Sequence, residues 1–227
     1  MGFVDFHSHV LPRADHGSSS VDMSISQLQM AEQYGIDRII ATPHYYPYKH
    51  TLEYFTRRRE KAYKALAAAY TGPVQIRVAA EAQLCEGLEN LVGIEKLFIC
   101  GTNSLLLELP YGTLGDGHYR TVERLVSNGI DVILAHADRY PKEYIDKMLS
   151  QGARIQLNAQ SFCTLFKRRD LYTWMEDKKV VALGSDLHRL DKKAYPRFCR
   201  AIEKIGDNAE YIRAESDAIW NRSKQFT

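Results

Sequence analysis

Cysteine is scarce and scattered. The 227 residues hold four, Cys85, Cys100, Cys163 and Cys199, with no C-x-x-C pair. That excludes a thiolate zinc knot and a disulfide framework. An excess of one charge is also missing. The formal net charge is +2, too near neutral to argue for nucleic acid or a membrane surface as partner. No apolar run is long enough to span a bilayer, and no charged start leads into an apolar signal segment. The expectation is a cytoplasmic protein with no membrane insertion. Linker-like, repetitive and low-complexity stretches are absent, so residues 1–227 are expected to form a single domain. Barrels of the α/β class commonly have this size.

One cysteine needs weighing. "CTLFKRR" places Arg169 six residues after Cys163, the C-x5-R spacing of cysteine-dependent phosphatases. The intervening residues include no glycine, and a phosphate cradle needs backbone N–H groups that approach closely. The stretch "FCTLFKRRDLYTWMED" also reads as helix, so Cys163 is expected to be an ordinary helical cysteine.

What the chain does have is alternation. Seven β-rich runs recur: "GFVDF", "DRIIAT", "VQIRVAA", "SLLLEL", "DVILAH", "ARIQLN" and "VVALGS". Amphipathic helical patterns lie between most of them, and two more follow from about Tyr195 and Asp207. Gly35, Gly129 and Gly152 stand where helices should stop. Apolar strands alternating with helices imply a parallel sheet. Seven units in a row suggest a closed or nearly closed barrel, with an open doubly wound sheet as the other possibility.

Polar residues collect at the ends of these strands. His7 and His9 end the first. An i, i+2 pair shares one face only on a strand. His44 follows the second, Glu81 ends the third, Glu108 the fourth and His136 the fifth, while Asp186 and His188 follow the seventh. In a parallel α/β barrel all strand C-termini face one way, and active sites are built there. Six of seven strands therefore send His, Asp or Glu to one rim. Imidazoles mixed with carboxylates and no thiolate suit Mn, Fe or Zn. One ion takes roughly four to six ligands, so this donor set implies two or three ions. Clustered divalent ions suit hydrolysis of a phosphate ester: they clamp its oxygens, neutralise charge and supply hydroxide near neutral pH.

"DFHSH", "ATPH", the Glu after the third strand, "LELP", "AHADRY" and "GSDLH" together resemble the PHP (polymerase and histidinol phosphatase) superfamily, in order and over nearly the whole chain. Within it they look most like the bacterial manganese-dependent tyrosine phosphatases of capsule and exopolysaccharide biosynthesis. The resemblance implies a distorted seven-stranded (β/α)7 barrel, similar to a TIM barrel, with three divalent ions, Mn or else Fe or Zn. The implied ligands are His7, His9, His44, Glu81, Glu108, His136, Asp186 and His188. Where the family has a second Asp, this chain has His16, the expected ninth ligand, with Asp15 supporting from behind. Arg139 matches the family's phosphate-binding arginine, and its planar fork suits phosphate oxygens. His44 or a bound water is left to stabilise the leaving oxygen. Arg189, Lys192 and Lys193 stand where the family tends to carry a further phosphate-binding arginine. The implied substrate is a phosphotyrosyl protein, the C-terminal tail of a bacterial tyrosine kinase.

Two further stretches carry expectations. Tyr45, Tyr46 and Tyr48 in "HYYPYKH" are placed to line the mouth and stack on a tyrosyl ring. "RRRE" at 57–60 reads as a solvated helix face, or as a dock for an acidic tail. The competing functions are a phosphatase of a small metabolite such as histidinol phosphate, a metal-dependent amidohydrolase, and a non-enzymatic binding module. The amidohydrolase class commonly uses a bridging lysine, and no strand end offers one.

Overall fold

The structure, a computed structural model, describes residues 2–164 and 168–222. All seven expected strand runs form strands, and every strand pairing is parallel. After two of the runs the chain breaks and resumes as a further short strand, which makes nine strands among the described residues. These are β1 (Phe3–Ser8), β2 (Ile36–Ala41), β3 (His44–Tyr45), β4 (Gln75–Val78), β5 (Glu81–Gln83), β6 (Ser104–Glu108), β7 (Asp131–Leu134), β8 (Arg154–Asn158) and β9 (Val180–Gly184). They form a sheet of order β1-β2-β4 and a sheet of order β3-β5-β6-β7-β8-β9.

The interruptions have a local cause. Pro43, between β2 and β3, has no N–H to give a ladder. Its carbonyl accepts instead from Glu81 N at 3.1 Å, and Thr42 N donates to Ser8 O at 2.9 Å. The chain thus passes from the first sheet to the second at Thr42–Pro43, and again at Ala79–Ala80. At the far edge, β9 runs beside β1: Asp186 N donates to His7 O (2.8 Å) and His9 N donates to Leu187 O (3.0 Å).

Among the described residues seven α-helices connect or follow the strands: α1 (Val21–Gln33), α2 (Leu52–Ala69), α3 (Asp116–Ser127), α4 (Lys142–Ser150), α5 (Arg169–Glu176), α6 (Ala194–Ile205) and α7 (Asn208–Asn221). Ser20 and Thr51 cap α1 and α2, their hydroxyls accepting from Met23 N and Tyr54 N. Between β5 and β6 only one-turn helices occur, at 88–90 and 94–97. Gly129 ends α3 in the left-handed region at φ 78°, a conformation that would cost any residue with a Cβ.

The helix expected over 162–177 is shorter than its pattern. A one-turn helix covers Ala159–Cys163 and α5 begins only at Arg169; Leu165, Phe166 and Lys167 lie outside the described residues. Cys163 sits on that single turn, its sulfur near the carbonyls of Ala159 and Arg197, and Arg169 is exposed at the start of α5.

The "RRRE" stretch is not a uniformly solvated face. Arg57 and Glu60 are exposed, but Arg59 is buried at 7% exposure. It shares a stripe with Phe55, Ala62 and Leu66 and donates to the carbonyls of Ala79 (3.0 Å) and Lys96 (2.8 Å). The apolar core has two parts. One lies between strands and helices. The other gathers Val4, Phe6, Ile40, Leu106, Ile133 and Val181 from alternating strand positions, against Ile219 and Trp220 of α7. No helix among the described residues is long and apolar enough to cross a membrane.

Candidate metal centre

The strand ends converge as their positions imply. His7 lies on β1 and His9 just after it. His44 is on β3, Glu81 on β5 and Glu108 ends β6. His136 and Asp186 follow β7 and β9 with left-handed φ of 33° and 53°, unusual for residues with a Cβ. His188 lies two residues beyond. These eight residues supply four groups of mutually close donor atoms: His7–His9–Asp186, His7–Glu81–His136, His44–Glu81–Glu108 and His9–His44–His188.

Glu81 is at the centre and fully buried. Its Oε2 meets three imidazole nitrogens: His44 Nδ1 at 3.0 Å, His7 Nε2 at 3.1 Å and His9 Nε2 at 3.3 Å. Its Oε1 lies 2.7 Å from His136 Nε2. Asp186 Oδ1 stands 3.6 Å from His7 Nε2 and 3.4 Å from His9 Nε2.

The orientation of the rings is fixed from outside. His7 Nδ1 donates to Gln156 Oε1 (3.1 Å), and His9 Nδ1 donates to Asp15 Oδ2 (2.6 Å). Both Nε2 lone pairs therefore point inward, and they are only 3.1 Å apart. Two facing lone pairs beside two carboxylate oxygens need a cation between them. Ligands about 2.1 Å from one centre stand roughly 3.0–3.4 Å from each other, which matches these separations. Several donors are also left without a hydrogen-bond partner although buried: Glu81 Oε2, Glu108 Oε2 and His44 Nδ1. A buried polar atom without a partner is costly. The residues present fit divalent ions.

The electrostatics agree. Burial opposes ionisation of Glu81, but the charge of His7, the hydrogen bond with His136 and the close approach of His44 hold its carboxyl well below the ordinary range. Burial likewise opposes a charge on His44, yet the nearby carboxylates of Glu108 and Glu81 raise it to about 9. Burial and the neighbouring His9 push His188 down to about 4, so it presents a neutral imidazole at pH 7. A field that favours a proton here also favours a metal cation.

The other expected residues occupy an outer layer. Asp15 accepts from His9, from His44 N (3.0 Å) and from Gly17 N (2.8 Å). His16 is exposed; its ring stacks on His44 at 4.8 Å and His188 at 4.5 Å, outside the four donor groups. Arg139, half-exposed, pairs through Nη2 with Asp186 Oδ2. Arg189 lines a cavity of about 110 Å³ with Asp186, His188 and Arg197. Tyr46 stacks on His44 at 5.1 Å and Tyr48 lies against it at 5.8 Å. Tyr45 does not line the mouth: it is 2% exposed and packs on Phe55, because adjacent strand residues face opposite ways.

Two site residues escaped the sequence reading. The end of the sixth run, on β8, carries no His, Asp or Glu, but it sends Gln156 and Asn158 inward. Gln156 Oε1 accepts from both His7 Nδ1 and His136 N (2.8 Å), and its Nε2 donates to Asn158 Oδ1 (3.1 Å). Asn158 Nδ2 donates to Asp186 Oδ2 at 3.2 Å. The signal was present in "RIQLN": Ile155 and Leu157 join the core while Gln156 and Asn158 occupy the alternate positions.

Known proteins supply the comparison. The tyrosine-protein phosphatase CpsB of Streptococcus agalactiae is 23% identical over 247 residues, covering 96% of this chain and 98% of its own. The tyrosine-protein phosphatase YwqE of Bacillus subtilis is 24% identical over 235 residues, covering 97% and 92%. Among solved structures, a chain from the work on YwqE of Bacillus subtilis and CpsB of Streptococcus pneumoniae, metal-dependent tyrosine phosphatases, superposes with a TM-score of 0.79. It is 18% identical and the match covers 97% of this chain and 95% of that one, a likeness of fold. The family model for capsular polysaccharide synthesis, CpsB/CapC, matches residues 3–222. With the match spanning every strand described and every residue of the donor cluster, the chain belongs to the CpsB/CapC family of capsular polysaccharide synthesis.

Proposed function

We infer that the protein is a metal-dependent phosphatase acting on phosphotyrosyl proteins. The observation that carries this is Glu81, whose one buried oxygen faces three imidazole nitrogens, in a chain whose family serves capsular polysaccharide synthesis and whose relatives are tyrosine-protein phosphatases. His7, His9, His16, His44, Glu81, Glu108, His136, Asp186 and His188 are the residues proposed to hold three divalent ions, Mn or else Fe or Zn, at the mouth of a distorted seven-stranded barrel. Such ions polarise a phosphate ester and make hydroxide available near neutral pH.

The protein's own groups do the rest. Arg139, paired with Asp186, has a half-exposed guanidinium that can turn a planar fork to phosphate oxygens. Tyr46, already stacked on His44, offers a flat face to an aryl leaving group. The rim is open: Tyr48 is 69% and Tyr111 95% exposed, which suits a peptide segment better than an enclosed metabolite. The proposed partner is the C-terminal tail of a bacterial tyrosine kinase, dephosphorylated in the cytoplasm by this single domain.

The test is hydrolysis of p-nitrophenyl phosphate and a phosphotyrosyl peptide with Mn added, with chelator, and with His136→Ala. Metal-dependent turnover favouring the peptide and lost in the variant is expected. Turnover of the aryl phosphate but not the peptide would refute the protein substrate, and no turnover with metal bound would refute the enzyme.

A further inference from the structure

A second concavity lies along the same rim. A cavity of about 720 Å³ opens between the chain that leaves His9 and the outer face of α2. Four cations line it: Arg13, Arg57, Arg58 and Lys61. No carboxylate lines it, and among the described residues none of the four forms an ion pair with Asp or Glu. Unpaired cations gathered in one concavity raise a focused positive potential.

The wall is held in place. Arg13 has a left-handed φ of 58°. Its N–H donates to Ser18 O (2.7 Å), its Nε donates to Ser19 O (3.0 Å), and its carbonyl accepts from Arg58 Nε (3.0 Å). The floor is apolar, from Pro12, Val21, Ala62 and Ala65. A small inorganic anion has no use for such a floor. A peptide does, because its backbone and aliphatic stems lie on apolar surface while its carboxylates reach cations.

The cavity is also tied to the metal centre. Arg13 is three residues from His16, so their Cα atoms lie within about 11 Å. On the other side, Tyr54 at the groove packs against the ring of His50 at 4.9 Å. His50 ends the segment in which Tyr46 stacks on His44 and Lys49 covers Tyr46 at 4.6 Å. An extended chain covers that distance in roughly three or four residues.

We propose that this groove binds an acidic stretch of the substrate, a few residues from its phosphotyrosine, and so selects phosphotyrosyl proteins with acidic flanks. This rests on the phosphotyrosine reading above. The chemistry recognised is an extended segment with several Asp or Glu. The metal centre takes the phosphate, and the groove takes the carboxylates.

The test uses two phosphotyrosyl peptides of equal length, one with four flanking Asp or Glu and the other with Asn or Gln at those places. With Mn present, the wild type should prefer the acidic peptide by about tenfold in kcat/KM at low salt, mainly through KM. That ratio should fall to about one at roughly 0.5 M salt, where exposed charges are screened, and equally in Arg57→Glu/Lys61→Glu. Both substituted residues are exposed on α2. A ratio near one in the wild type, or an unchanged ratio in the variant, would overturn the proposal. Fluorescence anisotropy of the unphosphorylated acidic peptide separates it from the enzymatic reading. Salt-sensitive binding lost in the variant supports the groove even if neither peptide is hydrolysed. Hydrolysis of both peptides without such binding refutes the groove alone. Displacement of the peptide by a single-stranded oligonucleotide at lower concentration than the peptide itself would mark a nucleic-acid groove and also overturn it.

Discussion

Gln156→Leu is the sharpest probe of how the metal centre is held. Gln156 is fully buried and is not one of the donors of the cluster. Its Oε1 fixes His7 through Nδ1 and the backbone of His136 through N. Leucine keeps the volume but accepts nothing, so two buried N–H groups lose their partner. Each such loss costs about 1–3 kcal/mol. Allowing for the greater apolarity of leucine, a net loss of about 2–4 kcal/mol is expected, lowering Tm by roughly 5–15 °C in a chain of this length. The effect on metal should be separate and larger than that of most buried substitutions. With Nδ1 unpinned, His7 is free to change tautomer, which would turn an N–H toward Glu81 and Asp186. Loss of such a supporting contact typically lowers metal affinity about 10–100-fold. Gln156→Glu keeps both acceptor contacts and loses only the donation to Asn158. It should therefore hold metal better than Gln156→Leu. The assay is calorimetric titration of Mn into chelator-stripped protein, with urea unfolding alongside. If Gln156→Leu binds Mn within twofold of wild type, the argument that this amide sets the His7 tautomer is wrong.

Other consequences are equally direct. A Cβ at Gly184 would lie 2.6 Å from His7 Cβ and 2.7 Å from Gln156 Nε2, so Gly184→Ala should lower Mn affinity about tenfold or more while far-UV circular dichroism stays unchanged; wild-type affinity would show that the two side chains yield freely. Arg59→Met removes the donors to Ala79 O and Lys96 O and should cost about 2 kcal/mol, read as a lower urea midpoint; an unchanged midpoint would mean that the buried stem alone matters. Asp131 accepts from Arg154, Ser104 and Arg222. Burial works against its charge, but these partners hold its pKa below the ordinary 3.8. Its folded pKa is thus depressed, so its stabilisation is present above about pH 4 and fades as pH falls through the lower folded value. Asp131→Asn should lose stability at pH 7, by about 1–3 kcal/mol, and the gap to wild type should close on acidification below pH 4. A gap independent of pH would refute the ionic account.

What the sequence discloses of this fold and site depends on residue type. The strands were legible because β-branched and apolar runs recur, several of them just after a helix-stopping glycine, and all seven runs form strands in the structure. Their interruptions at Pro43 and Ala79–Ala80 were less so: a proline without an N–H marks a break, but only tertiary pairing decides that the chain then changes sheets. The eight donors of the cluster stood out because His, Asp and Glu at strand ends are rarely buried without a reason. Gln156 and Asn158 did not, since an amide carries no charge and passes for an ordinary polar residue, although the alternation in "RIQLN" turns both to the donor side. Arg59 teaches the same lesson in reverse. Its charge suggested solvent, yet its spacing from Phe55, Ala62 and Leu66 is that of a buried helix stripe, and periodicity prevailed because two backbone carbonyls lay within reach of the guanidinium. The neighbours Arg57, Arg58 and Lys61 lie off that stripe and face the groove. One helix thus turns a single basic run to two uses: one cation locks the fold, and the others remain for a partner. Where period and charge disagree, period decides which way a side chain points, and the groups it meets there decide whether the charge can stay.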